Sequence, residues 1–356
     1  MRAMVLCAGL GSRLRPLTEH WPKPALPLLG RPLVEYTFAL LSGAGVREVG
    51  INTHHLPETM AQVAGQSCAR LGLSLTVVNE PVIQGTGGGI RGLRAFLSGG
   101  TSVVFNGDVL FALDLPRVLE AHRASGALAS MVLLPMPANE TYAAVELDAA
   151  GDVRRIAGRG PTGAAGSKAG AAPSEGRPGS PERLTPWHFT GVHVLEPGLF
   201  DFMKAEGPED INREVYLRAL EAGQRVHGIV AEGYWSDLGT PSRYLATVRD
   251  LLYGQVAAAP FGDRWPLTAQ AKGAGNFWSE AGANAEKVAG PAYFEAGCEI
   301  SPTARIGASV SVGRRARIPA GARLNRSVVF DDTTLKEGEV LLETLAWREH
   351  RIPAPL

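Results

Sequence analysis

The sequence predicts an α/β protein. A Rossmann-like, mixed but mostly parallel sheet is flanked by helices, and a short left-handed parallel β-helix of hexapeptide repeats follows at the C-terminus. Three observations carry this reading. Short apolar runs alternate with helix-like stretches through the first half, a glycine loop follows the first run, and aliphatic residues recur every six positions near the end.

In order, Met4-Val5-Leu6 reads as a short buried strand, and Leu33 to Ala44 has helical spacing that stops at Gly45. Val49-Gly50-Ile51, Leu73 to Val78 and Val103-Val104-Phe105 read as further strands. Strands separated by helices predict βαβ units, whose ligands sit at the carboxyl ends of the strands. Residues 157–186 are rich in Gly, Ala, Pro and Ser and poor in large apolar residues, the pattern of a flexible insert. Structure is expected to resume at Trp187, with a helix over Arg213 to Ala222 and a strand over Val226 to Val230. The chain then divides into a first domain over 1–252, a linker over 253–285, a repeat over 286–340 and a tail over 341–356.

In the repeat, Ile300, Ile306, Val312, Ile318, Leu324 and Phe330 stand six residues apart. Ala304, Val310, Ala316, Ala322, Val328 and Thr334 keep the same phase four residues later, and the pattern extends back through Phe294 and Cys298. Each aliphatic is expected to point into a triangular coil, with three hexads per turn and roughly two to three turns. So short a solenoid cannot cover its own ends, so it should dock on the first domain or on a second copy of the chain.

Composition narrows the function. The 356 residues suffice for two domains, and 45% of them are apolar. The formal net charge is zero, which gives a nucleic-acid partner no support. Cys7, Cys68 and Cys298 form neither a metal-ligand spacing nor a disulfide framework, as expected in a reducing compartment. No apolar run is long enough for a membrane span or a signal peptide, so the expected location is the cytoplasm.

The most specific segment is Cys7-Ala8-Gly9-Leu10-Gly11-Ser12-Arg13-Leu14-Arg15-Pro16-Leu17-Thr18, followed by Pro22-Lys23-Pro24. Glycines let backbone N–H groups approach a phosphate, and Arg13 and Lys23 add positive charge. Leu14 stands where a dinucleotide fingerprint needs its third glycine, and no Gly-Lys-Ser/Thr tripeptide supports a P-loop. The pattern suits a nucleoside triphosphate that loses pyrophosphate. The adjacent His54 and His55 would point to opposite faces of a strand, so they read as turn or core residues and not as a metal pair.

At these residues the chain resembles the sugar-1-phosphate nucleotidylyltransferases. The resemblance continues through Thr86-Gly87-Gly88-Gly89-Ile90, Asn106-Gly107-Asp108, Thr190-Gly191 and Trp235-Ser236-Asp237-Leu238-Gly239-Thr240-Pro241, most of residues 1–250. It implies transfer of a nucleoside monophosphate from an NTP to a sugar-1-phosphate. It also implies a magnesium ion held by Asp108 and Asp237, the hard oxygen donors that ion favours. Ala8, Gly9, Gly11, Ser12 and Arg13 would cradle the triphosphate. Arg13 would hold the β- and γ-phosphates, and Lys23 would reach the α-phosphate or the sugar phosphate. Gln84 and Gly85 to Gly88, with Gly87 and Gly88 foremost, would line the base pocket. Glu146, Arg159, Thr190 and Gly191 are the sugar-phosphate candidates, with Arg159 standing where the family often has a lysine. Ala143 replaces a family glycine, which leaves a backbone contact to the sugar open.

Several substrate readings follow. The appended repeat resembles mannose-1-phosphate guanylyltransferases, and the Thr86 to Ile90 run resembles N-acetylmuramate-1-phosphate uridylyltransferases. Glucose-1-phosphate with UTP or dTTP stays open, as does a non-catalytic NDP-sugar-binding subunit. A hexapeptide acyltransferase is disfavoured because residues 286–340 contain no histidine base. A homo-oligomer assembled through or beside the repeat is expected.

Overall fold

The computed structural model describes residues 1–138, 142–161, 184–265, 277–279 and 288–356. The expected insert over 157–186 lies largely outside the described residues, as do residues 266–276 and 280–285 of the expected linker over 253–285.

The first strand, Arg2–Leu6, is buried on both faces and runs at the centre of the sheet. Ala3 and Val5 enter one core while Met4 enters the other, the alternation a doubly covered strand requires. Glu48–Thr53 and Ser102–Asn106 lie parallel on either side of it, and Ser74–Asn79 forms the adjoining edge. The helices Leu33–Gly43 and Pro57–Leu71 cover one face.

Beyond Ser102–Asn106 the sheet changes character. The strand Thr185–Leu195 runs antiparallel to Ser102–Asn106, to Ala129–Leu134 and to Ala144–Leu147. The sheet is therefore mixed: Thr185–Leu195 is antiparallel to its three neighbours, while Val226–Val230 is again parallel to Ala129–Leu134. A register shift between Phe189 and His193 lets this one long strand bend and serve three neighbours. The expected helix over Arg213 to Ala222 begins earlier and in two parts: a π-helical turn over Ile211–Val215 runs into the α-helix Tyr216–Glu221.

The C-terminal region is a stack of short parallel strands compatible with the predicted coil. Ala292 lies beside Val310, Glu299 beside Arg317 and Arg305 beside Arg323, a register of three hexads. Ile306, Val312, Ile318 and Leu324 are buried together with Ala304, Val310, Ala316 and Ala322. Between the Ile306–Leu324 pair and the Val310–Ser327 pair the register shortens by one residue, so that Val312 pairs with Val329 and not with Phe330. A one-residue slip turns every following side chain to the other face. Val329 consequently fills the coil, whereas Val328 and Phe330, expected inside it, pack into the core of the first 253 residues. Thr334, also expected inside, is exposed, and Leu335 takes its place.

The expected tail over 341–356 is instead a hairpin: Val340–Trp347 joins the stack in parallel and His350–Pro353 folds back antiparallel. Trp347 lies 4.4 Å from the ring of His20 and 5.1 Å from that of Trp21. Phe330 lies 5.9 Å from Trp21 and 5.7 Å from Tyr244. The C-terminal stack is thus braced on the segment that precedes Lys23. Three of its rim arginines, Arg314, Arg315 and Arg317, pair with Glu295, Asp332 and Glu299.

Candidate active site

A cleft of about 500 Å³ opens at the carboxyl ends of the parallel strands, a size ordinary for small-molecule sites. Ala8, Gly9, Leu10, Gly11, Ser12 and Arg13 form one wall as a continuous run. The loop leaves the first strand with the Cys7 N–H donating to Asn52 Oδ1 at 2.8 Å. Gly11 turns it with φ 61°, and a Cβ there would stand 3.0 Å from Thr18 Cγ2 and 3.1 Å from Lys23 Cβ. Thr18 Oγ1 then donates to the Gly11 carbonyl at 3.0 Å. Gly9 has open space where a side chain would stand, so its backbone faces the cleft bare. Burial pushes the Cys7 thiol far up, which leaves it a packing residue.

Lys23 sits at the floor. Its side chain is 6% exposed, and its ammonium donates to Asp108 Oδ2 and to the Asp237 carbonyl, each at 2.9 Å. The two aspartates meet for a topological reason. Gly233–Ser236 pairs antiparallel with Leu110–Leu113, with Ser236 opposite Leu110, so both carboxylates leave the same end of one ribbon. Gly107 permits the turn before Asp108, because a Cβ there would lie 2.6 Å from the Leu6 carbonyl oxygen. Asp237 Oδ2 accepts from Arg243, while its Oδ1 is buried with no hydrogen-bond partner among the described residues. Arg13 is exposed and rests on Gly239, whose missing Cβ would lie 2.9 Å from the guanidinium.

At the other end the cleft is lined by Glu80, Ile83, Gly85 and Thr86. Gly87 and Gly88 do not line it: their N–H groups donate to the Glu209 carbonyl at 2.9 and 3.2 Å. They hold the helix Gly85–Gly92 against the 209–211 segment. Gln84 is half-buried and donates its side-chain amide to the Val82 carbonyl at 2.8 Å.

A second cavity of about 240 Å³ lies beside the first. Its wall includes Tyr142, Ala143, His188, Asp210, Asn212 and Arg213. The Tyr142 ring lies 4.1 Å from His188 and 5.9 Å from Trp235, and the Arg243 guanidinium stands 5.7 Å over it. Arg243 therefore links Asp237 to Tyr142 of the second cavity's wall. Asn212 Oδ1 is buried and has no hydrogen-bond partner among the described residues.

The four residues expected at the sugar phosphate fare differently. Thr190 is fully buried, and its hydroxyl donates to the Val132 carbonyl at 2.7 Å, so it supports the wall without facing a ligand. Gly191, with φ 86°, lets that strand approach Asn106, which lines the first cleft. Glu146 sits 3.8 Å from Arg155 and off the cavity wall, whereas its neighbour Val145 lines it, as strand alternation demands. Arg159 is exposed on a turn closed by backbone bonds with Ile156 and lines neither cavity.

Asn52, Glu80, Asn212 and Arg243 escaped the sequence reading. Asn52 and Glu80 carried one usable signal, since both stand at the carboxyl ends of predicted strands. The His54 and His55 rings each bond a separate backbone carbonyl, of Glu80 and Thr18. Among the described residues no cluster of three or more His, Cys, Asp or Glu could hold a metal, and no helix is long and apolar enough to cross a membrane.

Comparison with known proteins agrees with this geometry. The chain is 29% identical over 342 residues to a mannose-1-phosphate guanylyltransferase of Mycobacterium tuberculosis, covering 95% of this chain and 82% of that one. It is 24% identical to a UTP–glucose-1-phosphate uridylyltransferase of Synechocystis, covering 98% and 87%. The crystal structure of HddC from Yersinia pseudotuberculosis superposes with a TM-score of 0.55 at 16% identity, over 69% of this chain and 97% of that one, a likeness of fold. The nucleotidyl transferase family model matches residues 2–253, which include every residue of both cavities, and the chain is therefore an enzyme of the nucleotidyl transferase family.

Proposed function

We propose that this enzyme joins a nucleoside monophosphate to a sugar-1-phosphate, with GTP and mannose-1-phosphate as the preferred pair. A phosphate oxygen of the sugar-1-phosphate attacks the α-phosphorus of the NTP. The new P–O bond forms as the bond to the bridging oxygen breaks, and pyrophosphate departs with that electron pair. The observation that carries the reading is Lys23, which joins Asp108 and Asp237 on the floor of the first cleft. Such chemistry needs positioning and charge neutralisation more than a covalent nucleophile.

The donor set fits a magnesium ion. Asp237 offers a buried oxygen with no described partner, and the Asp108 carboxylate is 43% exposed. Two carboxylates leave positions for phosphate oxygens, as this ion prefers. When bound, magnesium would neutralise charge on the phosphates. Arg13 holds the leaving pyrophosphate with a planar fork. Bare glycine N–H groups support the triphosphate, and Lys23 supplies a fixed positive charge at the Asp108 carboxylate and the Asp237 carbonyl. The second cavity takes the sugar. We further read the C-terminal stack as a left-handed parallel β-helix that braces the Lys23 segment through Trp21 and Trp347.

The Synechocystis relative, matched over 98% of this chain, favours UTP and glucose-1-phosphate as the second reading. Pyrophosphate release across four NTPs and several sugar-1-phosphates, with and without magnesium, separates the two. One pair well above the rest, lost on chelation, is expected. Silence across the matrix from a folded sample would sink the enzymatic reading.

A further inference from the structure

We infer that Arg243 receives the phosphate of the sugar-1-phosphate, and does so only once a divalent ion has neutralised Asp237. This rests on the sugar-1-phosphate reading of the site and names the order in which that site fills.

A chain of contacts joins the two cavities. Lys23 donates to Asp108 Oδ2 and to the Asp237 carbonyl, the Arg243 guanidinium donates to Asp237 Oδ2, and that guanidinium lies 5.7 Å over Tyr142 of the second wall. Each carboxylate thus faces one cation, and the charges cancel pairwise. Such a neutral arrangement attracts a phosphate dianion little. Asp237 Oδ1, buried with no partner among the described residues, is open to a divalent ion while Oδ2 faces Arg243. With that ion on both carboxylates, the charges of Lys23 and Arg243 are no longer matched and are left for phosphate oxygens.

The place is right for that phosphate. Its attacking oxygen must reach the α-phosphorus from the sugar side, so its cation belongs where the two cavities meet. Arg243 stands in the first turn of the helix Pro241–Leu252, its N–H donating to Thr240 Oγ1 at 3.3 Å, and that turn carries no acidic residue. A helix N-terminus is electropositive, so a cation there is unfavourable without an anion beside it. Asp237 is one such anion, and a phosphate takes over that part when the ion neutralises the carboxylate. The Arg243 side chain is 30% exposed, so a ligand can reach it, and its planar fork suits two phosphate oxygens. Arg159, the cation expected here, lines neither cavity. The rival is Arg213, which lines the second cavity and is exposed. Among the described residues Arg213 pairs with neither Asp108 nor Asp237, so a phosphate held by it would gain nothing from the ion through that residue.

The full chain, as wild type, Arg243→Gln and Arg213→Gln, is titrated by calorimetry with mannose-1-phosphate and with glucose-1-phosphate. No NTP is present, and each titration is run in EDTA and in saturating magnesium, beside thermal melts. Wild type should bind one of the two about tenfold or more tighter in magnesium, the effect of one hydrogen bond to a charged group. Arg243→Gln should bind it equally in both buffers, which also controls for magnesium held by the sugar phosphate in solution. Arg213→Gln should keep the gain. A magnesium gain that survives in Arg243→Gln makes that residue structural and overturns the inference, as does a gain lost in Arg213→Gln alone. Should Arg243→Gln fail to fold, Arg243→Lys, which keeps the charge without the fork, still decides. It must bind more weakly than wild type in magnesium yet keep part of the gain, and either failure overturns the inference. A wild type that binds equally well in EDTA, or only with NTP present, also overturns it and leaves nucleotidylyl transfer standing. No binding in any buffer, together with no pyrophosphate from any substrate pair, is instead the failure of the enzymatic reading.

Discussion

The two cavities are built in opposite ways. The first takes a whole wall from six consecutive residues, Ala8 to Arg13, whose backbone is the binding surface. The second draws Met131, Tyr142, Ile156, His188 and Asn212 from separate stretches of chain and presents mainly their side chains. A phosphate site made of N–H groups and glycines is a local property, written in order along the chain. A sugar site made of side chains exists only once strands have paired, and a bulge or an alternation decides which residues reach it. The lesson is that the wall of the first cavity is set by local sequence and that of the second by strand pairing.

The contrast can be broken first at Lys23. Lys23→Met removes the cation that touches both Asp108 and the Asp237 carbonyl, and should lower kcat by about 10²–10³-fold while circular dichroism stays native. A variant keeping a tenth of its activity would show that the floor of the first cleft is not where charge is neutralised. The next largest effect is expected at Gly11. Gly11→Ala forces a left-handed φ of 61° on a side chain that would stand 3.0 Å from Thr18 Cγ2. It should cost about 1–2 kcal/mol of stability and raise the KM for NTP. An unchanged NTP KM would mean the loop's shape matters less than its charges.

Asn212 sharpens the comparison from the other side. Asn212→Ala should raise the KM for the sugar-1-phosphate by about tenfold, the value of one hydrogen bond, and leave that for the NTP alone. Equal changes in both constants would erase the division between the cavities.

The smallest effect belongs to a group that neither cavity uses. Burial pulls His193 down to about 3, and its Nδ1 bonds the Tyr216 hydroxyl at 2.7 Å. The folded state keeps this imidazole neutral, while the unfolded chain takes a proton near pH 6.5. The contribution is complete above that pH and is lost as pH falls toward 3, at up to about 1.4 kcal/mol per pH unit. Denaturant melts of wild type and His193→Gln at pH 7 and pH 5 measure it. Equal losses in both proteins would remove His193 as the cause.

Legibility followed the same division. Arg13, Lys23 and the glycines were readable because their order and spacing are themselves the signal. Gly87 and Gly88 misled because a glycine run shows backbone freedom and not what uses it, which here is the Glu209 carbonyl. Glu146 and Arg159 misled because alternation along one strand and a surface turn carried them off the cavity wall. Glu80 was legible only as a residue at the carboxyl end of a predicted strand; the amide that bonds it, of Asn52, comes from the neighbouring strand.

By itself the sequence determined the first parallel strands and the helix between them, the glycine loop and the six-residue beat of the C-terminal stack. Those depend on neighbours a few positions apart, where propensity and periodicity act. Tertiary structure alone decided three further matters. It set Thr185–Leu195 antiparallel to Ser102–Asn106 and to its two other neighbours. It brought Asp108 and Asp237 to one lysine across the Ser236–Leu110 register. And by a one-residue slip it turned Val328 and Phe330 out of the coil and into the core beside Trp21. Each is a choice of register between distant strands, fixed by which faces can be buried together, and no local pattern contains it.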